Sequence, residues 1–272
     1  MRFQDMVQQA AQRNQSLLCV GLDPDPQRIP AQFARERAPL YAFCMAIMEA
    51  TADLVCAFKP NSAFFEALGA PGFEILQRLA EDAPPDVPLI LDAKRGDIGS
   101  TAEAYARAAF EQLGYHAVTL NPYLGGDALA PFLRYADRGC IVLCKTSNAG
   151  SADFQDLVLA TGEPLYMEVA RRARDQWNAN KNVGLVVGAT HPQQLRAIRE
   201  RCPELLLLLP GIGAQGGDLA AAVAAAVDIA GAGIILSASR SVLYAANGGD
   251  ALPAARREAM HLRAAINAAR GA

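Results

Sequence analysis

Histidine is scarce in this chain, with only His116, His191 and His261 in 272 residues, and none stands in HxxxH or His-Cys spacing. A zinc site built on a local motif is thereby excluded. Trp177 is the only tryptophan and aromatics amount to 7% of residues; Trp177 and Tyr166 read as packing residues. The six cysteines (Cys19, Cys44, Cys56, Cys140, Cys144, Cys202) include no CxxC pair, and four lie inside apolar runs. That usage predicts buried, reduced thiols and a cytoplasmic location rather than a disulfide framework. Net charge is also small, at -3 with a pI near 5.7. No global field draws in nucleic acid or an anionic membrane, although a local basic pocket could still take a small anion. Long hydrophobic runs are missing too. The longest nearly apolar stretch, residues 219–236, is mostly alanine and glycine with Asp228 at its middle, and reads as a helix followed by a strand rather than a membrane span. The opening MRFQDMVQQAAQRNQ lacks the charged-then-apolar pattern of a secretion signal.

What the chain does contain is 52% hydrophobic and 19% charged residues, enough to bury one large core. Eight short apolar runs recur along it, at residues 17–22, 54–58, 88–91, 117–120, 140–144, 183–187, 205–209 and 233–236, separated by longer helical patterns. Several are unbroken Val, Ile and Leu, as burial on both faces requires. Alternating strands and helices predict an α/β fold with a parallel sheet, and eight of each predict a (β/α)8 TIM barrel in a single domain spanning 1–272. Such a barrel takes roughly 250 residues, so little chain is left for anything else. Only residues 147–181 are long for one connection.

Barrel chemistry is built where strands end. The residues that follow the runs are polar and charged: Asp23, Lys59, Asp92 and Lys94, Asn121, Lys145 and Ser147, then Gln215 and Arg240. One such residue is unremarkable at a strand end; their joint occurrence predicts a common mouth. In LDAKRGDIGSTAEAYA, residues 91–106, Asp92 and Lys94 are two apart and so share one face of an extended strand. Asp97, beyond Gly96, is delivered by the following turn. Ser100 and Glu103 read as a capping box, which alone suffices to explain Ser100, while Thr101 stays open. Gly211, Gly213 and Gly216 permit close backbone approach where barrels commonly bind phosphate, but they also fit as plain turn residues, and Arg240 as a surface cation. The GxG at 211–213 lacks the context of a dinucleotide fingerprint.

These motifs together resemble the orotidine monophosphate decarboxylase family. Its Asp-x-Lys-x-x-Asp motif is matched by Asp92, Lys94 and Asp97, and its fourth charge by Lys59. The likeness runs through VGLDPD (20–25), FKPNSAFFE (58–66), NPYLGGD (121–127), KTSNAG (145–150), LPGIGAQGGD (209–218) and SASRSVLYA (237–245), in the order of the longer bacterial subgroup. Ala149 departs from it, where members usually carry proline. The resemblance implies that Lys59, Asp92, Lys94 and Asp97 form an alternating charged array of zero net charge around the reacting carbon, with Lys94 as proton donor and no metal or cofactor. It further implies that Asp23 and Lys59 hold the ribose hydroxyls of orotidine monophosphate, Ser147 the pyrimidine edge, and Gln215 and Arg240 the phosphate. Members are homodimers in which the groups matching Asp97 and Thr101 reach the neighbouring site, so shared active sites are expected here. Two other readings stand beside this one. A magnesium-dependent sugar-phosphate decarboxylase or aldolase of the same superfamily would need a carboxylate ligand near Lys59, where a lysine repels a divalent cation. A non-catalytic phosphate-binding barrel would have little reason to bear the burial cost of four clustered charges.

Overall fold

The computed structural model describes residues 1–211, 218–246 and 250–271. Eight strands form one parallel sheet: β1 (Leu18–Leu22), β2 (Ala57–Pro60), β3 (Ile90–Arg95), β4 (Ala117–Leu120), β5 (Gly139–Lys145), β6 (Val183–Val187), β7 (Leu206–Pro210) and β8 (Ile234–Ala238). Their order is β2-β1-β8-β7-β6-β5-β4-β3. The two ends of that order meet through isolated parallel bridges, Phe58 to Leu89 and Asn61 to Asp92, which nearly close the sheet. With helices between successive strands, this is the predicted (β/α)8 barrel.

The period-two alternation of strands sorts the apolar residues into two layers. Val20, Phe58, Leu91, Val118, Val142 and Leu185 point outward into the main core beneath the helices. Cys19, Ala57, Ile90, Ala117, Ile141, Leu208 and Ile235 form a smaller cluster, with Phe3 and Val7 of the N-terminal helix Phe3–Asn14 packed into it. That helix plugs the barrel so tightly that a Cβ on Gly139 would lie 2.3 Å from the Phe3 ring. Two residues further along four of these strands, the inward position turns polar: Ala57 gives way to Lys59, Ile90 to Asp92, Ala117 to Thr119 and Ile235 to Ser237. All four are buried.

The observed strands depart from the apolar runs in instructive ways. The second run was expected from residue 54, but Leu54 ends a short 3-10 turn, Ala52–Leu54. The carbonyls of Ala52 and Val55 accept from the Asn14 amide at 2.8 and 2.7 Å, not from a neighbouring strand. The eighth run begins one residue early, because Gly233 is left-handed (φ 76°). The capping box is also corrected. Helix Gly99–Arg107 begins ahead of Ser100, its N-cap Ile98 receives no side-chain cap, and Glu103 pairs with Arg134 at 3.2 Å. The long fifth connection holds a 3-10 turn (Ala149–Asp153), helix Leu165–Arg172 and a π-helical turn, Ala173–Trp177. Ala149 opens the 3-10 turn at its first position, where proline would also fit, so its departure from the usual residue leaves that start intact. Tyr166 is buried and Trp177 packs against the core, as expected. Among the described residues no helix is long and apolar enough to cross a membrane.

Candidate active site

The polar layer at the C-terminal end of the barrel is organised around Asp92. Its Oδ2 accepts from Lys59 Nζ at 2.9 Å and its Oδ1 from Lys94 Nζ at 2.7 Å. Thr119 Oγ1 donates to the same Oδ1 at 2.8 Å and accepts from the Lys94 backbone N–H at 2.9 Å. Lys59 and Asp92 are buried, whereas the Lys94 side chain is 47% exposed. Burial alone would raise the Asp92 carboxyl, but the two ammonium groups outweigh it and hold the group well below the usual carboxylate range. Burial alone would likewise lower Lys59, yet Asp92 and Asp23 reverse that and keep its ammonium protonated beyond the ordinary lysine range.

Asp92 and Lys94 do meet, though not by simple alternation. Between Leu91 and Arg95 the β3–β4 register shifts, two extra residues bulging out of β3. Lys94 sits in the left-handed region, at φ 48°, a strained backbone for a lysine. The Thr119 hydroxyl is the side chain that restrains it. Thr119 was not singled out in the sequence, although a lone hydroxyl two residues before Asn121, in the otherwise apolar AVTL, marks where an inward position turns polar.

Asp23, Ser147 and Arg240 line the same opening. With Lys59, Asp92, Ser237, Ser239 and Ser241 they bound a cavity of about 200 Å³. Asp23 Oδ1 is buried and has no hydrogen-bond partner among the described residues, and the same holds for Ser241 Oγ. An orphaned polar atom on a cavity wall is one that a ligand can partner. Close backbone packing shapes the walls: a Cβ on Gly21 would lie 1.9 Å from Ser239 Oγ, and one on Gly188 2.9 Å from the Ser147 backbone nitrogen. A larger cleft of about 480 Å³ lies at the opposite end, between helix Phe3–Asn14 and the starts of β7 and β8. It holds none of the clustered buried charges.

Other expected members fall elsewhere. Asp97 forms no ion pair among the described residues; its Oδ1 accepts from the Ile98 N–H at 2.8 Å. Thr101 is exposed in the first turn of helix Gly99–Arg107. Asn121 is structural, its side chain accepting from the Tyr123 N–H at 3.1 Å. Gln215 lies outside the described residues. Lys145 is buried but does not line the cavity. All six cysteines are free and buried, and burial pushes the Cys19 thiol, beneath the array, up to about 12, which leaves it no nucleophile. Among the described residues no group of three or more His, Cys, Asp or Glu is placed to hold a metal.

The model of the orotidine 5'-phosphate decarboxylase / HUMPS family matches residues 16–255. The chain belongs to this family. An orotidine 5'-phosphate decarboxylase of Roseiflexus sp. is 60% identical over 269 residues, covering 99% of this chain and 98% of that one. The solved OMP decarboxylase of Leishmania donovani is 44% identical with a TM-score of 0.88, each chain covering 100% of the other. The UMP synthase of the same organism is 46% identical with a TM-score of 0.90, and this chain spans 57% of its length.

Proposed function

We propose that this chain decarboxylates orotidine monophosphate to uridine monophosphate and CO2, the last step of de novo pyrimidine nucleotide synthesis, using its own side chains alone. The observation that carries the reading is the Lys59–Asp92–Lys94 cluster, whose two buried members line the cavity and whose third, Lys94, is half exposed. Loss of CO2 breaks the bond between the carboxyl carbon and the ring and leaves the electron pair on the ring carbon. A cation held beside that carbon, in a site with little water, stabilises the developing charge more than it stabilises the substrate. Lys94 is the exposed member of the cluster and transfers its proton to the ring carbon; the resulting amine recovers a proton from solvent. Asp92 fixes the lysine and faces the departing carboxylate, so that their repulsion is relieved as neutral CO2 forms. The unpartnered Asp23 oxygen receives a ribose hydroxyl, Ser147 binds the pyrimidine edge, and Arg240, with Gln215, takes the phosphate. Both oxygens of Asp92 are already occupied by ammonium groups, which disfavours the magnesium-dependent alternative.

The working unit is a homodimer with shared sites, in a single-domain cytoplasmic enzyme. Among the described residues Asp97 makes no ion pair with Lys59 or Lys94 of its own chain, and Thr101 is exposed. Around them the β3–β5 loops expose large apolar side chains, Ile98 at 59%, Tyr123 at 76% and Phe154 at 58%, a surface suited to a second copy. Six buried, unbridged thiols fit a reducing compartment. Mixing Asp97→Ala with Lys94→Ala protein tests the assembly: both are inactive alone, and exchange into mixed dimers restores part of the turnover. Proven exchange without recovery would end the shared-site reading.

A further inference from the structure

Lys145 ends β5 in a buried position, one residue before the Thr146-Ser147 pair that enters the mouth, and the reaction proposed above leaves it no part. A bulge between Leu143 and Lys145 alters the β5–β6 register there. Lys145 Nζ meets Asp156 Oδ1 at 2.8 Å and Ser151 Oγ at 3.2 Å, and stands 5.8 Å from the centre of the Tyr166 ring. Beside it, Gln155 Oε1 accepts from the Thr146 backbone N–H at 2.8 Å while Gln155 Nε2 donates to Thr146 Oγ1 at 2.8 Å. Thr146 Oγ1 in turn donates to Asn148 Oδ1 at 2.6 Å. On the other side, the Gly188 N–H donates to the Lys145 carbonyl at 2.7 Å, and a Cβ on Gly188 would clash with Ser147. Ser147 is therefore held between a glycine wall and a returning segment fastened by two adjacent side chains.

We propose that Lys145 and Asp156, assisted by Gln155, are positioning residues that fix Ser147 for the pyrimidine ring. They touch no ligand and act only through the loop. A buried cation with a single carboxylate partner is a costly way to stabilise a barrel, since apolar residues of similar size serve stability as well or better. What the pair supplies is geometry: it ties residues 145 and 156 to one spot, and the intervening turn must then present Ser147 in one orientation. A side chain that binds through one hydrogen bond needs this, because an unrestrained loop would have to be ordered on every binding event.

This proposal rests on Ser147 being a substrate contact. Its test is a double-mutant cycle read by the dissociation constant of uridine monophosphate, with orotidine monophosphate turnover measured separately in the wild type. Asp156→Asn is made first, since Asp156 is 39% exposed and its loss is tolerated more easily than that of the buried lysine. Ser147→Ala and Asp156→Asn should each weaken binding about tenfold, roughly one hydrogen bond's worth. Combined, they should weaken it little further. Lys145→Met, which removes the buried charge instead of orphaning it, should reproduce the same non-additivity with a melting temperature near that of wild type. Full additivity, or unchanged affinity in Asp156→Asn or in Ser147→Ala, overturns the proposal. A wild type that binds uridine monophosphate without turning over orotidine monophosphate would end the decarboxylase reading, while the cycle still decides the positioning role.

Discussion

Thr119→Val is the most revealing single change, because valine keeps the shape of threonine and removes only the hydroxyl. That hydroxyl makes two bonds at the centre of the array, to Asp92 Oδ1 at 2.8 Å and from the Lys94 N–H at 2.9 Å. A hydrogen bond to a charged group contributes about 1.5–3 kcal/mol. The bond to the buried Asp92 carboxylate is the charged one of the two and dominates the loss. We expect a destabilisation of about 2 kcal/mol, seen as a drop in Tm of roughly 4 °C. The larger effect falls on catalysis. Lys94 holds a left-handed backbone against its own preference, and without Thr119 both it and Asp92 gain freedom. A misplacement near 1 Å costs on the order of a hundredfold in rate, so kcat should fall by roughly ten- to a hundredfold with KM little changed. Thermal unfolding and steady-state decarboxylation kinetics measure the two effects, with Thr119→Ser, which retains the hydroxyl, as the control that keeps most of both. Wild-type kcat in Thr119→Val would refute the positioning of Lys94 by this residue.

Two further outcomes follow from the packing and from burial. Gly21→Ala places a methyl 1.9 Å from Ser239 Oγ; it should cost about 1–3 kcal/mol and raise KM, and adding Ser239→Ala should relieve much of the defect, as unfolding and kinetics would show. His116 accepts from the Leu89 N–H through Nδ1 at 3.1 Å, and burial followed by nearby Arg138 lowers its pKa below 6.5. The unfolded chain therefore takes up the proton first, and the contribution of His116 is whole above pH 6.5 and is lost as pH falls through the lower folded value. Stability measured from pH 7.5 to 5 should decline less in His116→Asn than in wild type; equal slopes would remove His116 as the cause.

The barrel was legible because both-face burial leaves uninterrupted Val, Ile and Leu, as in VGLVV of β6 and LLLLP of β7. Strand ends were misplaced where that rule stops working. β2 and β8 continue into Lys59 and Ser237, polar residues that an apolar run excludes but a reactive mouth requires. Lys59, Asp92 and Lys94 were legible as charges at strand ends, and Asp23, Ser147 and Arg240 do line one cavity with Lys59 and Asp92. The β3 bulge was not, because the left-handed backbone at Lys94 is hydrogen-bonded to Thr119 of the next strand, 25 residues away in sequence. Ser100 and Glu103 match a capping box in spacing, yet the helix starts at Gly99, whose left-handed φ of 53° turns the chain before either residue. Local pattern cannot register a contact made by a distant strand.

The most direct measurement follows the ultraviolet absorbance of orotidine monophosphate with purified protein, with and without a strong chelator, beside Lys94→Ala. The account predicts rapid conversion to uridine monophosphate, the same rate with the chelator present, and loss of turnover in the variant. Conversion that the chelator abolishes, or a Lys94→Ala enzyme as fast as wild type, would contradict it.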